Sequence, residues 1–414
     1  MPSPNVKPQI RLRGRSRYPG DNSIRRLQTR LAGMARLGTV FRLKIAILGI
    51  RGIPANYGGF ETFAEECAAG LAARGHEVTV YGRSHYVPGT LTLYRGIRLV
   101  VLPTLAWKYT DTVVHTLFSV VHALFRRFDV ILMCNAANSV FTWIPRIFGT
   151  PVVLNVDGIE RHRRKWNRLG RAYYHLCEYL STWFPNVIVT DARVIERYYR
   201  DAYGAPSVFI PYGAFIEKPR GCEVLERLGV KSGEYFLYVS RLEPENNALL
   251  VVKAFEKVKT SRRLIVVGDA PYAPEYIEKV RATQDPRILF PGALYGPSYR
   301  QLQANAFCYI HATEVGGTHP ALIEAMGQGN IIVANGTPEN IEVLDAAGLT
   351  YRKNDVDDLS RCLQEIDDNP ARFTGLKAAA LERARTFYSW ESVIDQYEQL
   401  LLKLAAPSAK RITG

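Results

Sequence analysis

No run in the 414 residues approaches the ~20 uninterrupted apolar positions that a membrane-spanning helix needs. The nearest, VVHTLFSVVHALF at 113–125, is short, carries His115 and His122, and reads as a buried or interfacial helix. Cysteine is sparse and scattered. Cys67, Cys134, Cys177, Cys222, Cys308 and Cys362 form no CxxC pair and no Cys/His cluster at zinc spacing, so buried thiols in a reducing compartment are expected. No apolar segment follows the basic start, so a secretory signal is not expected and a cytoplasmic location is. The GxGxxG dinucleotide fingerprint is missing too.

Positive charge is in excess, and it is unevenly placed. The net charge is +14, yet residues 1–44 hold eleven Lys and Arg against one acid, Asp21, which leaves only +4 for the remainder. Residues 1–22 are rich in Pro, Gly and Arg and read as disordered. Over 23–37, Ile24, Leu27, Leu31, Met34 and Leu37 recur at helical spacing between Arg25, Arg26, Arg30 and Arg36. Such a basic amphipathic helix can lie on an anionic membrane surface; a solvated tail is the alternative. A nucleic-acid partner is not expected, because the body is near charge balance and the leader lacks interleaved aromatics.

From Leu43 onward apolar runs alternate with helix-patterned segments, which predicts a doubly wound parallel α/β sheet. LKIAILGI (43–50), EVTVYGR (77–83), IRLVVLP (97–103), DVILMC (129–134), PVVLNVDG (151–158), NVIVTD (186–191) and SVFIPYG (207–213) read as strands. Helices are expected at 60–74, near 110–126 and, briefly, through Trp143. After a polar connection at 216–233 the pattern restarts with YFLYVS (235–240), a helix at 245–258, LIVVGD (264–269), RILFPG (287–292), FCYIHA (307–312), NIIVAN (330–335) and LTYR (349–352). Helices then run from about 355 to 403. The expected organisation is a leader (1–42), a first Rossmann-like domain (43–215) and a second (216–387). The helix at 388–403 is expected to pack back on the first. Ligands of such sheets sit at the carboxyl ends of the strands, so the strand exits carry the candidates.

Three exits stand out. In GIRGIPANYGGFE (49–61), Gly58 and Gly59 open a helix and let backbone N–H groups approach an anion. A glycine-rich turn without a ligand is the alternative. In SRLEPENN (240–247), Arg241 offers a donor fork suited to phosphate oxygens, or a salt bridge to Glu243 or Glu245. In HATEVGGTHPALIEAMGQGN (311–330), Gly316, Gly317 and Thr318 precede a helix whose N-terminus can hold a phosphate. Glu324, one turn in, can accept both hydroxyls of a ribose. Asp355 and Asp357 spell DxD, but at a helix start they read as capping acids.

EVGGTHPALIEAMGQGN resembles the donor-binding signature of the GT-B, family 4 type of retaining glycosyltransferases, and SRLEPENN resembles their phosphate-binding exit. LKIAILGIRGIPANYGGFETFAEECAAGLAARGHEVTVYGR, LNVDGIERHRRKW (154–166) and FIPYGA (210–215) are similar to a bacterial rhamnosyltransferase-like subgroup of polysaccharide assembly. The likeness runs from about Lys44 to YSWESVIDQYEQLLLK (388–403). It implies a nucleotide diphosphate sugar as donor, a saccharide or lipid-linked acceptor, no cofactor and no metal. It also implies that Glu324 holds the ribose, that Arg241 neutralises the diphosphate, and that Gly58, Gly59, Gly316, Gly317, Thr318 and His319 surround the donor. Asp157 is implied at the reacting centre, with Tyr57, Glu160, Arg161 and Tyr212 toward the acceptor. Two family positions differ here: Gly316 replaces a second glutamate, and Asn246 stands where a lysine usually accompanies the arginine. A nucleotide-sugar epimerase and a catalytically silent sugar-nucleotide-binding protein are the alternative readings.

Overall fold

A computed structural model describes residues 42–409, apart from 56, 57, 106, 108, 109, 164, 165, 271 and 272. The leader, its proposed helix at 23–37 and Tyr57 lie outside the described residues. All that follows concerns the compact unit that begins at Leu43.

The first half is an eight-stranded sheet in the order β3-β4-β2-β1-β5-β6-β7-β8, parallel except for the short β3. Its strands are β1 Lys44–Leu48, β2 Glu77–Arg83, β3 Leu93–Tyr94, β4 Ile97–Leu102, β5 Val130–Cys134, β6 Val152–Asn155, β7 Val187–Thr190 and β8 Val208–Phe209. Its helices are α1 Gly59–Ala73, α2 Asp111–Leu124, α3 Trp143–Ile147, α4 Arg168–Ser181 and α5 Arg193–Tyr203. β1 is apolar throughout because both faces of a central parallel strand are covered. Ile45 and Ile47 point into one core with Phe63 of α1, while Ala46 and Leu48 point into another with Val120 of α2 and Ile195 of α5.

The second half repeats the scheme with six parallel strands ordered β11-β10-β9-β12-β13-β14. These are β9 Tyr235–Val239, β10 Arg263–Val267, β11 Ile288–Gly292, β12 Cys308–His311, β13 Ile331–Asn335 and β14 Leu349–Tyr351. The helices are α6 Glu223–Leu228, α7 Ala248–Glu256, α8 Pro274–Arg281, α9 Gly296–Ala304, α10 Pro320–Gly327, α11 Pro338–Leu344, α12 Val356–Asp368, α13 Thr374–Phe387 and α14 Trp390–Ala409. In each sheet the strand order reverses beside the first strand, between β1 and β5 and between β9 and β12. A reversal splays the two connections apart and leaves a crevice at the strands' carboxyl ends.

Some boundaries differ from the sequence expectation for identifiable reasons. The run 207–213 keeps only Val208–Phe209 as strand, because Pro211 has no N–H for the ladder. The helix expected from 245 begins at Ala248, since Asn247 takes a left-handed conformation (φ 62°) that breaks it from the preceding short turn. α4 went unread because its apolar residues are not confined to one face.

α14 lies against α1. Arg74 reaches Glu398 and Asp395, each at 2.6 Å, His76 meets Glu398 at 2.8 Å, and Ile394 packs where any side chain at Gly70 would collide with it. Tyr397 stacks 5.1 Å from Phe63, and its hydroxyl accepts from Asn155 Nδ2 at 2.9 Å. Both residues are fully buried. Tyr397→Phe strands the Asn155 amide, so unfolding in urea should show a loss of about 1–3 kcal/mol with an unchanged m-value.

Candidate active site

Five strand exits from the two halves meet. Asp157 follows β6 in a left-handed conformation (φ 56°) that a non-glycine residue holds only at some cost in strain. Its N–H donates to Asn155 Oδ1 (3.1 Å), and the Tyr212 hydroxyl donates to its Oδ1 (3.3 Å). Gly158 next to it packs on the other half so closely that a Cβ would stand 2.7–2.8 Å from the backbone of Gly316 and Gly317. At the start of α1, a Cβ on Gly59 would meet Pro320 at 2.9 Å. The steric case for glycine therefore holds at Gly59 and Gly158. Gly58 is extended (φ −169°), with room for a side chain beside Glu61.

Asp191 closes the contact from the end of β7. Its Oδ2 accepts from Thr318 N–H (2.7 Å) and its carbonyl from the Thr318 hydroxyl (2.6 Å). Gly317 leaves the space its carboxyl fills, since a Cβ there would be 2.4 Å from both oxygens. Burial, and then the charge of Asp157, push Asp191 well above the usual carboxylate range; burial also raises Asp157, against the opposing pull of Arg163. Two buried neighbouring carboxyls cannot both ionise cheaply, which is why both are raised.

A charge-balanced cluster of two arginines and two glutamates lies beside Asp157. Glu243 lies 3.5 Å from both Arg163 and Arg241, and Arg163 also meets Glu160 at 2.7 Å. One arginine comes from each half. His319 sits beside them, 4.8 Å from His311 between ring centroids. Burial pushes His311 down to about 3, and burial, His311, Arg163 and Arg241 together hold His319 well below its ordinary value. Both rings are neutral at neutral pH. Glu324, in α10, is buried and accepts from the Tyr299 hydroxyl at 2.6 Å; burial raises it to about 7.

Several candidates take other partners. The Asn246 amide turns back and donates to the Arg241 carbonyl (2.7 Å), so it fixes the turn that carries the arginine. Arg161 points away from the meeting exits, toward Tyr198 (2.8 Å) and the buried Glu178 (3.4 Å), whose charge needs a partner. Glu160 stays with Arg163 and accepts from the Trp166 indole at 3.2 Å. Glu314 accepts from the Asn354 side chain. Asp355 caps α12, accepting from the N–H groups of Asp357 (3.0 Å) and Asp358 (2.9 Å). Among the described residues no group of three His, Cys, Asp or Glu could hold a metal ion. Sequence reasoning missed Asp191, Arg163 and Tyr299 as members of the cluster. Asp191 ends a recognised strand and Arg163 lies inside a quoted motif, whereas Tyr299 gave no signal.

Residues 58–213 match the glycosyl transferase 4-like domain family, and residues 233–369 match the family of glycosyl transferases group 1. These are the two domains of a GT-B glycosyltransferase. Over 175 residues this glycosyltransferase chain is 28% identical to a GDP-mannose-dependent monoacylated alpha-(1-6)-phosphatidylinositol monomannoside mannosyltransferase of Corynebacterium glutamicum. That match covers 39% of this chain and 45% of the relative, so it spans less than half of that protein's length. Sucrose-phosphate synthase of Thermosynechococcus elongatus superposes with a TM-score of 0.75 at 19% identity, over 88% of this chain and all of the other. Anabaena HepE, solved with UDP and glucose, gives 0.73 at 17%, over 87% of this chain and all of the other. At such identities the likeness is one of fold.

The close approach at Gly158 sets a steric test. Gly158→Ala should force the halves apart and cost about 1–3 kcal/mol of stability. Small-angle scattering should show a larger radius of gyration, while an unchanged radius and melting point would contradict the contact.

Proposed function

We propose that the chain transfers a sugar from a nucleotide diphosphate donor to a saccharide or lipid-linked saccharide acceptor in polysaccharide assembly. Rhamnose is the first donor sugar to test, on the likeness of 154–166 to the rhamnosyltransferase-like subgroup. The carrying observation is the Thr318 N–H, which already holds a carboxyl oxygen just before the N-terminus of α10. A helix N-terminus favours negative charge, and a phosphate oxygen of the donor would take Asp191's place there. Glu324, one turn in, would then accept from the ribose hydroxyls, and Arg241 with Arg163 would lie toward the diphosphate.

The chemistry follows from that placement. The bond from the anomeric carbon to the diphosphate oxygen lengthens toward an oxocarbenium-like state, and negative charge builds on the leaving group. Fixed donors aimed at that charge do the work a metal ion would otherwise do. The acceptor hydroxyl attacks on the face that the diphosphate leaves and passes its proton to the departing phosphate oxygen, which retains the anomeric configuration. Asp157 would stand at this centre, with Tyr212 holding its carboxyl.

Arg241→Ala should lower kcat/KM by about 10²–10³-fold, with the wild-type rate unaffected by EDTA. Loss of activity in chelator, with the arginine variant unimpaired, would overturn the metal-independent reading. The pH dependence has a definite sign. Because Glu324 titrates near 7 instead of 4.5, its carboxylate form is gained as pH rises through 7. Nucleoside diphosphate affinity should therefore rise between pH 6 and pH 8. Glu324→Gln should weaken binding by about ten- to a hundredfold and flatten the profile, as read by titration calorimetry.

A further inference from the structure

Thirteen of the seventeen large hydrophobic side chains exposed among the described residues fall between Leu105 and Trp183. The second half exposes three, well separated in sequence. Most of the thirteen sit on α2, α4 and the segment of α3, and these helices share one anchor, the turn 136–141. Thr116 of α2 donates to Asn138 (2.8 Å), Tyr173 of α4 donates to the Ala137 carbonyl (2.8 Å), and Ser139 donates to the Cys177 carbonyl (2.8 Å). α3 follows the turn directly, and Arg146 ties it to the Trp183 carbonyl (3.1 Å). Phe118 and Phe125 lie two turns apart, as do Leu176 and Trp183. Phe125 is 83% exposed and Ile147 67%. So many apolar side chains exposed on helices that share one anchor mark a place of contact.

Its charges name the partner. Arg126, Arg127, Arg168 and Arg171 are exposed around it, and no acidic side chain described between residues 103 and 186 is fully exposed. Asp111 pairs with Arg83, Asp129 accepts from the Lys44 N–H, and Glu178 is buried beside Arg161. A second copy of the chain, set face to face across a two-fold axis, would bring arginines against arginines. Anionic lipid headgroups complement them, and Trp, Tyr and Phe are the side chains that settle at the boundary of headgroup and acyl chain. We propose that α2, α3 and α4 form a docking face for an anionic lipid bilayer. No described helix is long and apolar enough to cross one, so the contact is peripheral.

α4 also touches the residues near Glu160: Trp166, which donates to Glu160, packs 4.9 Å from the buried Tyr174 of α4. A lipid-linked acceptor held in that bilayer would present its saccharide near these residues. That consequence rests on the transfer reading; the docking does not.

The test uses the full chain, phosphatidylcholine vesicles with and without phosphatidylglycerol, and brominated lipid as a quencher of tryptophan fluorescence. Wild type should co-sediment with the anionic vesicles and lose fluorescence to the brominated lipid. The triple variant Phe118→Glu, Ile147→Glu, Leu176→Glu should bind about tenfold more weakly or worse, with an unchanged melting temperature. If that variant does not fold, the combined Trp107→Phe, Trp143→Phe and Trp183→Phe changes decide, and should remove most of the quenching. Vesicle binding that survives the triple variant undiminished would overturn the proposal and assign the binding to the basic leader. Quenching that survives the tryptophan changes would overturn it as well. So would a dimer broken by the triple variant with no quenching in wild type.

Discussion

One of the contacts that hold the two halves at the cleft is made by a single carboxyl group. Asp191 reaches from the first sheet to the Thr318 N–H in the second; Gly158 lets backbone approach backbone there, Gly317 leaves room for the Asp191 carboxyl and Gly316 for the His319 ring. The contact is a costly one. A buried acid beside a second buried acid gains less than it loses unless a proton is shared and a dipole receives it, and the start of α10 supplies that dipole. On the proposed reading such an interface is poised for exchange, because a donor phosphate, with more charge and more acceptor oxygens, would compete for the same amide.

The rest of the architecture serves that meeting point. Each sheet reverses its strand order beside its first strand, so the loops after β9 and β12 are free to converge. Arg163 and Arg241, one from each half, come together on Glu243, and both add to the burial that keeps His319 from taking up a proton. The hydrophobic cluster that includes Phe63, Tyr212, Leu322, Met326 and Tyr397 runs through both halves and sets the distance over which they meet.

Much of this was legible in the sequence, and for a physical reason. A parallel sheet buried on both faces demands continuous apolar strands, and those runs and the glycine-marked exits after them stand out one by one. Arg241, Glu324, Gly59 and Thr318 lie at such exits, and the local pattern leads to them. Asp191 is different. It is a lone acid at a strand end whose partner is 127 residues away, and nothing local announces the pairing. Tyr299 supports Glu324 from another helix for the same kind of reason. Asn246 and Arg161 show the converse. Their positions suit a ligand, yet a backbone carbonyl and a buried glutamate use their donors instead. α4 escaped notice because Leu169, Leu176 and Tyr179 are exposed beside Arg168 and Arg171, so its apolar residues do not fall on one face.

The most direct test is a crystal structure of the chain with the nucleoside diphosphate that raises its melting temperature most. The account predicts a phosphate oxygen at the Thr318 N–H with Asp191 displaced, the ribose hydroxyls on Glu324, and Arg241 at the diphosphate. A nucleotide bound elsewhere, with Asp191 still on Thr318, would contradict it.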